Sequence, residues 1–309
     1  MKLKPEEMSL GNGAGVCKRL DEAEELLGTA LTDVTIGSIS LKRQDGNPGN
    51  NFSADNEWIC GINRLNLPNP GMEYWEEHSP DFLRKARDKD KRARISIVAD
   101  DPRTLADLAY RAFASGWEEV EVDGSCPNRT ISGKKRPILC FDPELMEMTL
   151  DKLWLRIMPK QFYFKLAPYS NPVEKEWALR FALGHPGVCG LVLCNTFPET
   201  YNLRLVEGKF KTLIDAERGF GGMSGRALMP ISLAHVNIAH TIREESRVDK
   251  KIIGAGGIWD GKSFLKYLAA GADGGQMTTR ILERGKNSAR KAVQEVADDI
   301  VKEMLTLVQ

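Results

Sequence analysis

Short apolar runs alternate with amphipathic stretches through most of this 309-residue chain, and this alternation constrains the fold more than any other feature. Runs rich in Val, Ile, Phe and Leu are typical of strands, and apolar residues three and four positions apart are typical of helices. Alternation repeated this often predicts a parallel sheet covered by helices. About eight strands in this length favour an α/β fold, a single (β/α)8 TIM barrel, over a doubly wound sheet. One domain is therefore expected over residues 1–309.

The predicted elements can be placed along the chain. Strands are expected at residues 34–40, 94–99, 118–122, 162–166, 190–193, 251–253 and 275–277. Helices are expected at residues 102–115, 143–154, 173–183, 230–242, 262–270 and 288–307. Two segments that follow strands, 44–78 and 206–229, are long and glycine-rich or polar. Loops after strands build the active site of a TIM barrel, so both insertions are expected at its catalytic face.

Charge and composition exclude several classes of protein. The chain has 43 basic and 43 acidic residues, and a net charge of zero gives no electrostatic attraction for nucleic acid or an anionic membrane. No apolar run reaches the roughly 18 residues of a membrane span, and the first residues lack the apolar core of a signal peptide. The six cysteines and four histidines show no metal-ligand spacing, so no metal site is expected. Free thiols then indicate a cytoplasmic protein.

Two glycine-rich segments near the end of the chain predict a phosphate site. Residues 254–257 and 271–279 end successive predicted strands. These would be the seventh and eighth strands of the barrel, where exposed backbone N–H groups commonly bind phosphate. Tight turns alone would also explain the glycines, but segments at both places favour a phosphorylated ligand.

Three kinds of side chain follow predicted strands and would share one pocket in a barrel. Cys126 lies in a Ser-Cys-Pro-Asn turn, so it is either an inert buried cysteine or an accessible thiol that accepts a proton. Lys165 lies in the run Phe-Tyr-Phe-Lys-Leu, and it is either a solvated surface lysine or a partly buried ammonium that needs an anionic partner. Asn63, Asn128 and Asn195 are either turn residues or partners for the amide edges of a heterocycle.

Several motifs occur in one order along nearly the whole chain. They are Asn-Gly-Ala-Gly-Val at 12–16, Arg-Gln-Asp-Gly-Asn-Pro at 43–48, Gly-Ile-Asn-Arg-Leu-Asn-Leu-Pro-Asn-Pro-Gly at 61–71, Ser-Cys-Pro-Asn at 125–128, Lys-Leu-Ala-Pro-Tyr at 165–169, Gly-Phe-Gly-Gly-Met-Ser-Gly at 219–225 and Gly-Ala-Gly-Gly-Ile at 254–258. With these motifs the chain resembles the dihydroorotate dehydrogenases, FMN-containing barrel enzymes of pyrimidine synthesis. The resemblance implies FMN as the cofactor and oxidation of dihydroorotate to orotate as the reaction.

The resemblance also implies a role for each matching residue. Cys126 matches the base that removes the C5 proton of dihydroorotate while a hydride passes from C6 to flavin N5, and a cysteine here is typical of the soluble class 1 enzymes. Lys165 matches the lysine beside flavin N1 and O2, where negative charge accumulates on reduction. Further flavin contacts match Ala14, Gly15, Ser38 and Cys194, with Gly225, Gly256, Gly257, Thr278 and Thr279 near the ribityl chain and phosphate. Substrate contacts match Asn63, Asp123, Asn128, Asn195 and Thr196, and the backbone amides of Leu65, Asn66 and Leu67 match those that receive the orotate carboxylate.

Two positions depart from the family pattern. Asp123 stands where the family usually has asparagine, and a carboxylate there would repel an anionic substrate and leave its acceptors unmatched at a carbonyl. Gly37 stands where many relatives have a lysine, and Arg64 is a candidate to restore that charge. A second hypothesis is therefore an FMN enzyme that acts on another dihydropyrimidine or cyclic amide. A third is a flavin-free, phosphate-binding lyase or isomerase barrel.

Motif spacing indicates the electron acceptor and the assembly. Segments 46–48 and 67–71, and the spacing from Cys126 to Gly133, are most similar to the homodimeric class 1A enzymes, which use fumarate. A soluble acceptor such as fumarate and a homodimer are therefore expected. The sequence leaves open the NAD-linked subclass, whose partner subunit carries FAD and an iron–sulfur cluster.

Overall fold

The computed structural model of the protein describes residues 8–55, 59–126, 130–131, 134–135, 137–215, 219–283 and 288–308. In chain order its strands are β1 (Ser9–Asn12), β2 (Asp33–Ile39), β3 (Phe52–Asp55), β4 (Cys60–Asn63), β5 (Arg92–Ile97), β6 (Glu119–Asp123), β7 (Thr130–Ile131), β8 (Lys134–Lys135), β9 (Phe162–Leu166), β10 (Val188–Leu193), β11 (Phe197–Thr200), β12 (Leu203–Val206), β13 (Lys209–Thr212), β14 (Gly221–Gly225), β15 (Lys251–Ala255) and β16 (Gly274–Met277). Its α-helices are α1 (Leu20–Leu27), α2 (Met72–Asp88), α3 (Pro102–Ala114), α4 (Pro143–Ile157), α5 (Pro172–Gly184), α6 (Met229–Ser246), α7 (Gly261–Ala269), α8 (Thr279–Glu283) and α9 (Ala289–Val308). None of these helices, as far as they are described, is long and apolar enough to cross a membrane.

Eight of the strands close into a parallel barrel. Around the ring they follow the order β1, β2, β5, β6, β9, β10, β15 and β16, and β16 pairs with β1 to close it. Strand β2 is buried at every residue, as expected where a parallel sheet is covered on both faces. Helices connect most successive barrel strands, so the predicted TIM-barrel fold is confirmed.

Helices α3, α4 and α5 begin with the same local chemistry. Asp101, Asp142 and Asn171 are their N-caps, and the side chain of each accepts a hydrogen bond of 2.9–3.0 Å from a backbone N–H in the first turn. A proline follows each cap, where its missing N–H would have had no partner within the helix. Each cap contributes about 1 kcal/mol, so these sequences specify where the barrel helices begin.

The prediction is wrong in detail for both insertions. The first, expected at 44–78, ends at Gly71 because α2 begins at Met72, and Pro80 inside α2 obscures the helical pattern. The second, expected at 206–229, begins earlier, since β11 and β12 already belong to it. The prediction also lacks β1 and α1, because β1 has only four residues, with Leu10 as its one large apolar side chain.

The two insertions pair with each other. They form a four-stranded antiparallel sheet, ordered β11, β14, β4 and β3, in which Asn63 lies opposite Gly222. Ile62, Leu213 and Ile214 make a small hydrophobic cluster of their own, separate from the barrel core. Because the insertions follow β2 and β10, they extend from the carboxyl ends of barrel strands, where the catalytic face was expected.

Candidate active site

A cavity with about 1080 Å³ of empty space, part of it open to solvent, lies where the barrel strand ends meet the two insertions. It is lined by every described residue that the sequence analysis assigns to cofactor or substrate. These are Ala14, Gly15, Ser38, Asn63, Leu65, Asn66, Leu67, Asp123, Cys126, Lys165, Cys194, Asn195, Thr196, Gly225, Gly256, Gly257, Thr278 and Thr279. Asn128 lies outside the described residues. The predicted residues are therefore neighbours around one cavity.

Asp123 is the centre of a hydrogen-bond network at the end of β6. Its Oδ1 accepts hydrogen bonds from the Ser125 backbone N–H at 3.0 Å, the Ser125 hydroxyl at 2.6 Å and Asn195 Nδ2 at 3.3 Å. Its Oδ2 accepts one from the Ser38 hydroxyl at 3.1 Å. Protein donors therefore match both oxygens of the carboxylate, and the mismatch expected between Asp123 and a substrate carbonyl stays a prediction. These bonds offset the desolvation cost of burying the charge.

Lys165 is buried and has an anionic partner. Its Nζ lies 3.5 Å from Oε1 of Glu121, a fully buried residue of the neighbouring strand β6. Burial alone would raise the pKa of Glu121, but the positive charges of Lys165 and Arg94 outweigh burial and lower this pKa below its usual value. Glu121 is therefore ionised at neutral pH, and Lys165 faces a full negative charge. The interpretation of Lys165 as a solvated surface residue is wrong.

Cys126 is a half-buried thiol on the wall of the cavity. It directly follows Ser125, whose backbone and side chain both donate to Asp123, so this network holds the turn that carries the thiol. Cys194 also lines the cavity, but it is buried, and burial raises the pKa of its thiol well above the usual value. Cys126 is therefore the accessible thiol of this site.

Positive backbone φ angles shape the cavity wall at three places. Gly15 has a φ of 104°, and a Cβ built there would meet no atom within 4 Å, so a side chain would project into open space. Gly256 and Gly257 have φ values of 115° and 80°, a region that favours glycine. Asn66 and Leu67 also adopt positive φ values, 56° and 55°, at a cost of about 1–2 kcal/mol each. Such strain is typical of ligand sites, where the surrounding structure enforces it.

The sequence prediction lacks three charged or amide side chains of the site. Lys18 and Gln276 line the cavity, and Glu121 lies beside Lys165. The sequence does carry a signal for Glu121, because acidic residues alternate with valine in β6, so that Glu121 and Asp123, two positions apart, face the same side. Gln276 of β16 and Lys18, in the loop after β1, belong to the two ends of the chain, which the pairing of β1 with β16 joins and no sequence spacing reveals.

The positive charges of the cavity differ from the expectation. Among the described lining residues, the basic ones are Lys18 and Lys165, and Arg64 is not one of them. A Cβ on Gly37, which has a φ of 108°, would lie 2.4 Å from the backbone oxygen of Ser96. This backbone therefore has no room for a larger side chain at position 37, and Lys18 brings positive charge to the cavity from the loop after β1.

Comparison with known proteins identifies the family. Residues 7–300 match the sequence profile described as Dihydroorotate dehydrogenase. The chain belongs to the dihydroorotate dehydrogenase family. Dihydroorotate dehydrogenases are flavoproteins and oxidoreductases, so this chain is an oxidoreductase.

Similar dihydroorotate dehydrogenases cover nearly the whole chain. A Streptococcus agalactiae protein assigned as dihydroorotate dehydrogenase A (fumarate) is 26% identical over 293 residues, or 94% of this chain and 88% of the relative. A Streptococcus pyogenes protein with the same assignment is 27% identical over 289 residues, or 93% of this chain and 88% of the relative. Ligand-free dihydroorotate dehydrogenase from Eimeria tenella superposes with a TM-score of 0.78 at 18% identity, covering 99% of this chain and 90% of that one. At this identity the solved structure shows the shared fold.

Proposed function

We propose that the chain is a class 1A enzyme that uses FMN to oxidise dihydroorotate to orotate in pyrimidine biosynthesis. One observation carries the proposal: Cys126, Lys165 and Asn195 come from three different strand ends and line one cavity. A proton acceptor, a cation and an amide are the groups that this oxidation needs beside a flavin.

The residues present fit FMN. Bare backbone at Gly15 leaves space for a flat ring, and Lys165 lines the same cavity as a cation that would serve the N1 and O2 side of that ring. Gly225, Gly256, Gly257, Thr278 and Thr279 would hold the ribityl chain and phosphate. When bound, FMN supplies an acceptor at N5 for the hydride that leaves C6 of the substrate.

Cys126 takes the other hydrogen of the substrate. The C5–H bond breaks and its proton passes to Sγ of Cys126, while its electron pair forms the C5=C6 double bond and the hydrogen on C6 leaves as a hydride with the electron pair of the C6–H bond. Asp123 holds Cys126 in place through Ser125. Lys165 would stabilise the negative charge that reduction places on the flavin ring, which is the kind of preorganised electrostatic effect that dominates many active sites.

Amide groups would bind the substrate ring. Asn63, Asn128, Asn195 and Thr196 would pair with the pyrimidine, and the backbone amides at Leu65, Asn66 and Leu67 would receive its carboxylate. In the structure Asn195 is held by its hydrogen bonds to Asp123 and Ser125, and its Oδ1 accepts from the Thr196 backbone N–H at 2.7 Å. These hydrogen bonds hold the Asn195 amide in one orientation, as a residue that pairs with the substrate ring requires.

The acceptor and the assembly are part of the same proposal. The assignment of similar streptococcal proteins as dihydroorotate dehydrogenase A (fumarate) supports fumarate as the oxidant that regenerates the flavin. We place the enzyme in the cytoplasm as a homodimer, with the whole chain forming one FMN-binding domain. Native mass spectrometry measures the number of chains and bound FMN molecules directly.

Anaerobic mixing with dihydroorotate tests the proposed reaction. Purified protein should absorb at about 450 nm, the usual flavin band, and dihydroorotate should bleach this band. Added fumarate should then restore it. A colourless protein contradicts the flavin assignment. If the protein is yellow and another dihydropyrimidine bleaches it but dihydroorotate fails to, the proposed substrate is wrong.

A further inference from the structure

Gln276 of β16 has one half of its amide fixed and the other half without a partner. Its side chain is 2% exposed and lines the cavity. Nε2 donates a hydrogen bond of 3.0 Å to Oε2 of Glu121, whereas Oε1 is buried and accepts none. A buried carbonyl oxygen without a hydrogen-bond donor costs about 1–3 kcal/mol of stability. Because Gln276 lines a ligand cavity, the bound ligand is the natural source of that donor.

Glu121 determines which end of the Gln276 amide faces the cavity. An ionised carboxylate only accepts hydrogen bonds, so the NH₂ group of Gln276 must point towards it and the oxygen must point away. Glu121 is ionised because Lys165 and Arg94 surround it with positive charge. The oxygen lies 3.7 Å from where a Cβ of Gly13 would stand, and Gly13 is itself part of the cavity wall.

The same carboxylate also holds Lys165. Oε1 of Glu121 lies 3.5 Å from Lys165 Nζ, while Oε2 binds Gln276. One buried residue thus presents a cationic donor and a neutral acceptor to a single cavity. An imide edge of a flat ring, in which a C=O acceptor stands beside an N–H donor, is complementary to this pair. The pyrimidine ring of a flavin has such an edge at C2 and N3.

We propose that Gln276 is a flavin-binding residue whose Oε1 accepts a hydrogen bond from the ring N3–H, and that Glu121 is the positioning residue that orients it. This inference rests on the proposed FMN function. Gln276 would act in cofactor binding and leave proton transfer to Cys126.

The test follows the N3 proton in the full-length holoprotein. FMN labelled with ¹⁵N at N3 gives an NMR signal for N3–H, and hydrogen bonding shifts this signal downfield. Gln276→Met removes the acceptor at similar volume, so the N3–H signal should move upfield and the Kd for FMN should rise about tenfold, the usual effect of one lost hydrogen bond. Gln294→Met, which changes an exposed glutamine of α9, is the matched control and should change neither value.

A second pair of ligands separates the hydrogen bond from general damage to the site. The parent chain should bind FMN more tightly than N3-methyl-FMN, which has no N3–H, and this preference should disappear in Gln276→Ala, which also makes room for the methyl group. Glu121→Gln should shift the N3–H signal in the same direction as Gln276→Met. An unchanged N3–H signal in Gln276→Met, with FMN bound and dihydroorotate still bleaching it, overturns this inference and leaves the proposed function intact. A chain that binds no flavin overturns both.

Discussion

Nδ2 of Asn195 donates a hydrogen bond to Oδ1 of Asp123 over 3.3 Å, which joins the ends of β10 and β6 at the cavity. Ser38 and Ser125 donate to the same carboxylate. Asp123, the clearest departure from the family pattern, is therefore an acceptor that organises its neighbours. Its negative charge still lies on the wall of a cavity that we assign to an anionic substrate.

Asp123→Asn should bind orotate about tenfold more tightly, because it removes a like charge worth about 1.4 kcal/mol. The new amide can keep the network: its oxygen accepts from Ser125 and Asn195, and its NH₂ donates to Ser38, whose hydroxyl then donates to Ser96, 3.0 Å away. Orotate titrations of flavin absorbance measure the affinity, with the exposed Asp45→Asn as control. Loss of dihydroorotate turnover with FMN still bound would show that the carboxylate itself is required.

Cys126→Ser should retain FMN but slow its reduction by dihydroorotate by about 100- to 10,000-fold, the usual contribution of a general base. A serine hydroxyl is a much weaker proton acceptor at neutral pH than a thiolate. Anaerobic stopped-flow absorbance gives the rate. The control Cys189→Ser changes a half-buried thiol of β10 outside the cavity, and its flavin should be reduced at the parental rate. Parental kinetics in Cys126→Ser would remove this thiol from the mechanism.

Lys165→Ala should lower the reduction potential of the flavin and weaken FMN retention. Reduction places negative charge on the ring, and the variant lacks the cation beside it. The change also leaves the buried carboxylate of Glu121 without its partner, which is costly in a dry interior. Anaerobic potentiometric titration measures the potential, and Lys160→Ala, just before β9, should match the parent. An unchanged potential at full occupancy would contradict the role of Lys165.

The free energy of unfolding should decrease as the pH is lowered, because His235 becomes protonated on unfolding. Its Nε2 accepts from the Tyr169 backbone N–H at 2.9 Å, and burial lowers the pKa of His235 to about 4. In the unfolded chain this pKa is about 6.5, so between these values the unfolded state binds more protons and the free energy of unfolding falls by about 3 kcal/mol as pH falls. Urea denaturation from about pH 7 to 4.5 measures this loss. His235→Gln should flatten the dependence of stability on pH, whereas the control His78→Gln should leave it unchanged. An unchanged slope in His235→Gln would show that other groups cause the pH dependence.

The sequence was sufficient to predict the barrel and most of the cavity wall. Strand–helix alternation is a local property, and the residues at strand ends follow from it once the motifs are matched. The relationship between Asp123 and its donors could not be predicted, because Ser38 and Asn195 lie 85 and 72 residues away from it. The same holds for Gln276, which meets Glu121 across 155 residues only after the barrel has closed.

The sheet made by the two insertions forms one side of the cavity and has a small hydrophobic cluster of its own. Asn63 and Gly222, paired within it, belong to different insertions, which are anchored to the barrel at separate strand ends. The small cluster of Ile62, Leu213 and Ile214 offers little buried surface to hold that contact. We expect the amide of Ile62 to exchange with deuterium well before that of Phe164 in β9, and bound ligand to slow the first rate selectively. We expect ligand to enter and leave by local unfolding of this sheet while the barrel stays folded.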